Sequence, residues 1–110
     1  MSGQLNIFDS MIASLNQEAN GLQQQIADLE KKNVEHNAEI KSSQKYLDES
    51  DDWHDRQEYE GDIRYCEGQI TSNNKSIADY RERIQKINTQ IQEYMDFTRS
   101  ANDKLNGRQK

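Results

Sequence analysis

The chain is patterned along most of its length by apolar residues that recur at heptad spacing. From Ile63 to Leu105, isoleucines stand seven residues apart, and a second column of residues falls between them. Alternating steps of three and four residues place both columns on one face of a long α-helix. The first column is Ile63, Ile70, Ile77, Ile84 and Ile91, and the second is Cys66, Asn73, Tyr80, Ile87 and Tyr94.

An earlier stretch carries the same repeat and predicts a second long helix. Nothing in either stretch forces a break, because the chain contains no proline and only five glycines. The sequence therefore predicts an all-α fold built from two heptad helices. The earlier columns are Leu5, Ile12, Ala19, Ile26, Asn33, Ile40 and Leu47, and Phe8, Leu15, Leu22, Leu29, His36 and Ser43.

The two repeats are out of phase by two residues, which predicts that the chain reverses direction between them. A continuous coiled coil accommodates insertions of three or four residues better than a shift of two. Ser50, Asp51 and Asp52 lie at the junction, and all three are favoured at helix N-termini. We expect a single antiparallel hairpin over residues 1–110, with helix 1 at about 4–49, a turn at about 50–53, helix 2 at about 53–104 and a frayed tail at 105–110.

The register of the hairpin follows from the polar residues in the two seams. In an antiparallel pair, the numbers of facing residues add to a constant, and a constant of 106 pairs Asn33 with Asn73. Two amides that face each other avoid a buried unsatisfied polar group. A constant of 99 packs nearly as well, but it sets Asn33 against Cys66 and Asn73 against Ile26. We therefore prefer the first register.

A two-helix seam buries little apolar surface for its length, so we expect hairpins to self-associate into a four-helix bundle or a larger assembly. The flanks of the seam are mainly uncharged and polar, which a further helix can cover; they include Asn16, Gln23, Gln25, Gln69, Asn74 and Asn88. The expected self-association seam is Leu15, Leu22, Ile26, Leu29, Asn33, Ile40, Ile63, Ile70, Asn73, Ile77, Ile84, Ile87 and Ile91. The alternative is a continuous parallel coiled coil, in which Asn33 would set the register.

Composition and charge argue against several classes of function. The chain has 110 residues, of which 32% are hydrophobic and 31% charged, too polar a balance for a compact enzyme. It contains no glycine-rich phosphate loop and no nucleophile motif, so we predict no catalytic residue, no cofactor and no small-molecule substrate. A net charge of -6 opposes binding to nucleic acid or to an anionic membrane surface.

The single cysteine and two histidines predict no metal site, because the chain has no CxxC or HxxxH spacing. Cys66 is expected to be a small buried core residue. The alternative is a disulfide between the Cys66 residues of two chains. No apolar run is long enough to span a bilayer, and the first residues do not have the pattern of a signal peptide. We expect a cytoplasmic or virus-internal protein, with secretion lacking a signal peptide as the alternative.

The two ends of the predicted hairpin differ and supply candidate contacts for partner proteins. Trp53 stands at the turn, where it either closes the end of the hairpin or contacts a partner. The residues around it are strongly acidic, as expected for a solvated turn or for a surface that docks a basic protein. The candidates at this end are Trp53, Asp51, Asp52, Asp55 and Tyr59, and those at the opposite end are Ile7, Met11, Met95 and Phe97.

These features favour a non-enzymatic structural or scaffolding protein that acts through self-association and through contacts at its two ends. The alternative is a small helical adaptor, inhibitor or secreted hairpin partner that binds one protein through its acidic turn or its Met/Phe end. The length and the central tryptophan are similar to those of small WXG-type secreted proteins. However, Trp53 is followed by His54 rather than glycine, and no YxxxD/E signal lies near the C-terminus. We assign the chain to no family.

Overall fold

The computed structural model describes residues 8–108, and the chain forms two long α-helices over this range. Helix α1 is Asp9–Glu49 and helix α2 is Trp53–Arg108. Ser50, Asp51 and Asp52 separate them, at the point where the phase of the heptads changes. The described residues contain no strand. The predicted all-α helical hairpin is confirmed.

The direction of the second helix is fixed by contacts between side chains that lie far apart in the sequence. Asn33 of α1 is hydrogen-bonded to Asn73 of α2, and the ring of Tyr46 stacks on that of Tyr59. Residues close to the turn therefore meet each other, and residues farther from it meet in reverse order. The alternative of one continuous parallel coiled coil is wrong, because a continuous helix cannot bring these pairs together.

The outer ends of the helices differ from the expected boundaries. The start expected near residue 4 lies outside the described residues, and Asp9 is the first helical residue within them. At the other end, α2 continues past the expected limit near residue 104 and ends at Arg108. The tail expected to fray from residue 105 is therefore helical to that point, because the chain has no proline and half-buried Ala101 and Leu105 prolong the seam.

The buried residues follow the heptad columns closely. In α1, every residue that is not exposed belongs to one of the two predicted columns. The columns of α2 are likewise buried or half-buried, joined by a few neighbours such as Gln69 and Ser76. The most buried residues are Leu22, Ile26, Ser43, Leu47, Cys66, Ile77, Ile84 and Ile87. The buried side chains of each helix thus lie on the one face that its heptad columns define.

The contacts divide the chain into two compact units. One is Gln24–Tyr80, which contains the turn, the paired asparagines and Cys66. The other combines the described residues up to Gln23 with those from Arg81 onward. In this second unit, Arg83 lies 3.6 Å from the carboxylate of Glu18, and the ring of Phe8 stacks on that of Tyr94. Each unit is therefore held by side chains from both helices.

Candidate functional site

Asp52 caps the N-terminus of α2 at the turn. Its Oδ1 accepts a 2.8 Å hydrogen bond from the backbone N–H of His54, and its carbonyl oxygen accepts one of 3.0 Å from the N–H of Arg56. These two bonds make Asp52 the N-cap of α2. Ser50 supports the turn, because its Oγ accepts a 3.3 Å hydrogen bond from the N–H of Asp52. Of the three candidate caps in the sequence, the side chain of Asp52 therefore caps the helix.

Arg56 joins the start of α2 to the end of α1. Its Nη1 donates hydrogen bonds to the carbonyl oxygens of Leu47 at 2.8 Å and Ser50 at 3.2 Å. The last carbonyls of a helix have no partner within the helix, and positive charge is favourable at that end. Sequence reasoning missed this role, because Arg56 is a charged residue in an acidic stretch, one heptad before the first apolar residue of its column, Ile63. The position of Arg56 one turn into α2, close behind the end of α1, is the signal that points to it.

The residues around the turn form an exposed acidic surface, which we call the turn surface: Asp48, Glu49, Asp51, Asp52, Asp55, Glu58, Glu60 and Asp62, with Trp53 among them. Trp53 keeps 63% of its surface exposed. Its ring packs edge-to-face with the ring of His54, and the two ring centroids are 5.0 Å apart. Trp53 therefore does not seal the end of the hairpin. Tyr59 is half-buried instead, stacked on Tyr46 with ring centroids 5.5 Å apart.

Aromatic rings join the first described residues of the chain to the C-terminal part of α2. The ring of Phe8 stacks on that of Tyr94, with ring centroids 4.4 Å apart. It also packs edge-to-face with the ring of Phe97, with centroids 5.6 Å apart. Phe97 nevertheless remains 58% exposed, and Met11 and Met95 are each 47% exposed. Ile7, the fourth candidate at this end, lies outside the described residues. We call Phe8, Met11, Tyr94, Met95 and Phe97 the aromatic end.

The two seam asparagines pair as the register of 106 predicted. Asn73 donates a 3.0 Å hydrogen bond from Nδ2 to Oδ1 of Asn33, and Asn33 donates one of 2.9 Å to Oδ1 of the neighbouring Asn74. Asn33 and Asn73 are both half-buried. The polar interruption of each helix therefore faces the interruption of the other, which favours this alignment over any that sets an amide against an aliphatic side chain.

The seam is not fully covered by two helices. Ile26, Ile77, Ile84 and Leu22 are at most 8% exposed. Other members of the predicted seam are only half-buried: Leu15, Leu29, Ile40, Ile63, Ile70 and Ile91. Ile87 is buried with 6% of its surface exposed. A single hairpin therefore leaves part of its apolar line open to water, which is unfavourable for aliphatic side chains.

A polar cluster, His36, Glu39 and Cys66, interrupts the seam next to the paired asparagines. One ligating atom from each of these three residues lies within 4.8 Å of the other two. Cys66 has no exposed surface, His36 is half-buried, and Glu39 is exposed. Burial raises the pKa of the Cys66 thiol, and hydrogen bonding to Glu39 and the charges of Glu39 and Asp62 raise it further. The expected core role of Cys66 is thus combined with a polar neighbourhood that its sequence spacing does not reveal.

Two depressions lie on the described surface outside the cluster. Each is shallow and lies along one helix, at residues 40–49 of α1 or 82–93 of α2, and both are open to solvent. Neither brings together a nucleophile and a base. Within the described residues, no helix has an apolar stretch long enough to cross a membrane. Comparison with protein-family models, with curated proteins and with solved structures gives no match.

Proposed function

We propose that this chain is a non-enzymatic structural protein, a helical hairpin that self-associates and uses its two unlike ends to contact neighbouring molecules. The observation that carries the proposal is the incompletely covered seam. Leu29, Ile40 and Ile70 occupy core positions yet are only half-buried in a single hairpin. A second hairpin that packs against this line would remove that apolar surface from water, as helices do in a four-helix bundle.

The flanks of the seam are compatible with such packing. Asn16 and Gln23 of α1, and Asn88 of α2, lie directly beside seam positions, are exposed and carry no charge. An uncharged amide can enter a helix interface at a lower desolvation cost than a carboxylate or an ammonium group. Charged residues instead occupy many of the outer positions. The outer face is therefore suited to solvent, and the flanks to a neighbouring helix.

Charge placed on one flank provides the test. The double variant Asn16→Glu/Gln23→Glu adds two carboxylates beside the seam, whereas Gln17→Glu/Gln24→Glu adds the same charge one position farther round the helix. All four positions are exposed, so both variants should keep the hairpin. In light scattering, we expect the flank variant to shift toward the mass of one chain, 12.9 kDa, and the outer-face variant to behave like the wild type. Equal masses for the two variants, at every concentration, would refute the proposal.

A second candidate function, a binding module for a basic protein, is favoured by the turn surface. Trp53 combines 63% exposure with a surrounding ring of exposed carboxylates. A large aromatic side chain among charges of one sign is a frequent anchor in protein interfaces. In this function the hairpin is an adaptor or inhibitor, and its assembly is secondary.

The two functions are distinguished by reversing charge at the turn without removing its cap. Asp51→Lys/Asp55→Lys leaves Asp52 in place, and Asp103→Lys/Asp79→Lys makes the same charge change at exposed sites outside the turn surface. The binding module requires the first variant to lose capture of a basic partner and the second to retain it, with the mass of the hairpin unchanged in both. The structural function instead requires the mass of the assembly in solution to fall in the flank variant Asn16→Glu/Gln23→Glu.

A further inference from the structure

The cluster of His36, Glu39 and Cys66 is the one group of three or more metal-ligating side chains within 4.8 Å of each other in the described part of the chain. His36 and Glu39 are three residues apart on α1, so they lie on neighbouring positions of one helix face. Cys66 comes from α2. The three donors therefore reach the same point from both sides of the hairpin.

The chemistry of the donors fits one class of ion. A thiolate, an imidazole and a carboxylate are together the ligands of zinc and of similar borderline divalent transition ions. Bonds from Zn²⁺ to these atoms are about 2.0–2.3 Å long, so ligands around one ion are separated by somewhat less than twice that length. A mutual separation within 4.8 Å is close to this requirement, and Glu39, being exposed, is free to adjust its rotamer.

The surroundings of the cluster hold part of it in place. The ring of Tyr65 meets the His36 imidazole edge-on, with centroids 6.5 Å apart. Cys66 is fixed by complete burial, and the carboxylate of Asp62 adds negative charge near its sulfur. Negative charge and a positioned imidazole both favour a bound cation. Glu39 is exposed, so its carboxylate lies on the solvent side of the cluster.

We propose that His36, Glu39 and Cys66 form a binding site for a single Zn²⁺-like divalent transition ion, which links α1 to α2 beside the paired asparagines. Binding exchanges water ligands of the ion for the three side chains. The Cys66 thiol loses its proton to solvent, and the resulting thiolate forms the bond to the metal. The site is independent of the proposed self-association, because all three ligands belong to one chain.

Cobalt is the probe, since Co²⁺ occupies zinc sites and a thiolate ligand gives it an intense near-ultraviolet charge-transfer band. The full chain is treated with a chelator, kept reduced and titrated with Co²⁺. We expect a thiolate band that saturates at one ion per chain and disappears when Zn²⁺ is added in equal amount. Zn²⁺ alone should raise the melting temperature, because a ligand that binds only the folded chain stabilises it.

Variants assign the ligands. Cys66→Ala, His36→Asn and Glu39→Gln should each lose or greatly weaken the band, and Glu39→Gln carries little risk to folding because residue 39 is exposed. Matched controls are His54→Asn and Glu35→Gln, which change the same residue types outside the cluster and should leave the titration unchanged. Circular dichroism verifies that each variant keeps its helices.

Three results would overturn the proposal. One is a wild-type titration with no thiolate band. Another is a band that survives both His36→Asn and Glu39→Gln, which would mean that the ion is held by the cysteine alone. The third is saturation at half an ion per chain, which would place the metal between two copies. Loss of self-association in the flank variant, with the cobalt band intact, would leave the metal site standing separately from the structural role.

Discussion

Asn73 of α2 donates a 3.0 Å hydrogen bond to Oδ1 of Asn33 of α1, so the asparagine that interrupts a seam column of α1 pairs with the asparagine that interrupts a seam column of α2. This contact aligns the helices in the part of the hairpin that contains the turn. A constant of 99 would instead set Asn33 against Cys66 and Asn73 against Ile26. The pair therefore contributes to specificity as well as to stability.

Breaking this pair should destabilise the hairpin. Asn33→Leu leaves the Asn73 amide facing an aliphatic side chain, and we expect it to lower the free energy of unfolding by about 1 kcal/mol, the usual cost of a partly buried unsatisfied amide. Asn37→Leu, at an exposed position one turn away, is the control. The double variant Asn33→Leu/Asn73→Leu should recover most of the loss. Urea denaturation followed by circular dichroism measures all three, and a single variant no less stable than the control would contradict the role of the pair.

The N-cap of α2 gives a second prediction. Asp52→Ala removes the side-chain acceptor of the 2.8 Å bond from the His54 N–H, and N-cap losses of this kind typically cost about 1 kcal/mol. Asp51→Ala is a close control, because Asp51 is the adjacent exposed residue with the same charge. Thermal unfolding at one protein concentration compares the two. Equal melting temperatures would mean that Asp52 does not stabilise the turn through its cap.

Arg56 should stabilise the turn through geometry as well as charge. Arg56→Ala removes both hydrogen bonds to the end of α1, and we expect a loss of about 1 kcal/mol. Arg56→Lys should retain part of the stability, since an ammonium group can reach one carbonyl but lacks the planar fork of arginine. Arg64→Ala, at an exposed position one heptad and one residue later, provides the baseline. A lysine variant as unstable as the alanine variant would show that the charge near the carbonyls contributes nothing.

Truncations along the seam should separate the contribution of the hairpin from that of its assembly. Leu22 is 4% exposed, so Leu22→Ala should cost about 2–3 kcal/mol at any protein concentration. Leu29 is only half-buried in one hairpin, so Leu29→Ala should cost less in dilute solution and more as hairpins associate over it. Denaturation over a range of concentrations tests this. A Leu29→Ala cost that stays constant would indicate that nothing packs on that part of the seam.

Much of the fold was predictable because it depends on a repeat. Heptad spacing specifies which face of each helix is buried, and in α1 it identifies every residue that is not exposed. The phase change between the two repeats located the turn, and pairing the polar interruptions matched Asn33 to Asn73. These conclusions need only the position of a residue on its helix, which the sequence supplies directly.

The other contacts depend on how far long side chains reach along and across the helices. Arg56 donates a hydrogen bond to the Leu47 carbonyl of the preceding helix. Phe8 stacks on Tyr94, although a constant of 106 pairs Tyr94 with Ile12. Glu39 lies on the flank of the seam, so no spacing rule connects it with His36 and Cys66. The helical end at Arg108 was missed because Asn106 and Gly107, residue types that favour a helix C-terminus, lie just before it and yet are helical. Contacts made by long side chains, and the ends of the helices, are therefore the features that heptad spacing predicts least well.

The central claim, that hairpins associate through the open side of their seam, is tested most directly by the mass of the purified wild-type chain as a function of concentration. Light scattering coupled to size-exclusion chromatography, in the presence of a reductant and a chelator, removes disulfides and metal bridges as causes of association. We predict a mass that is a multiple of 12.9 kDa and that falls toward one chain on dilution. A mass of one chain at every concentration would contradict the claim.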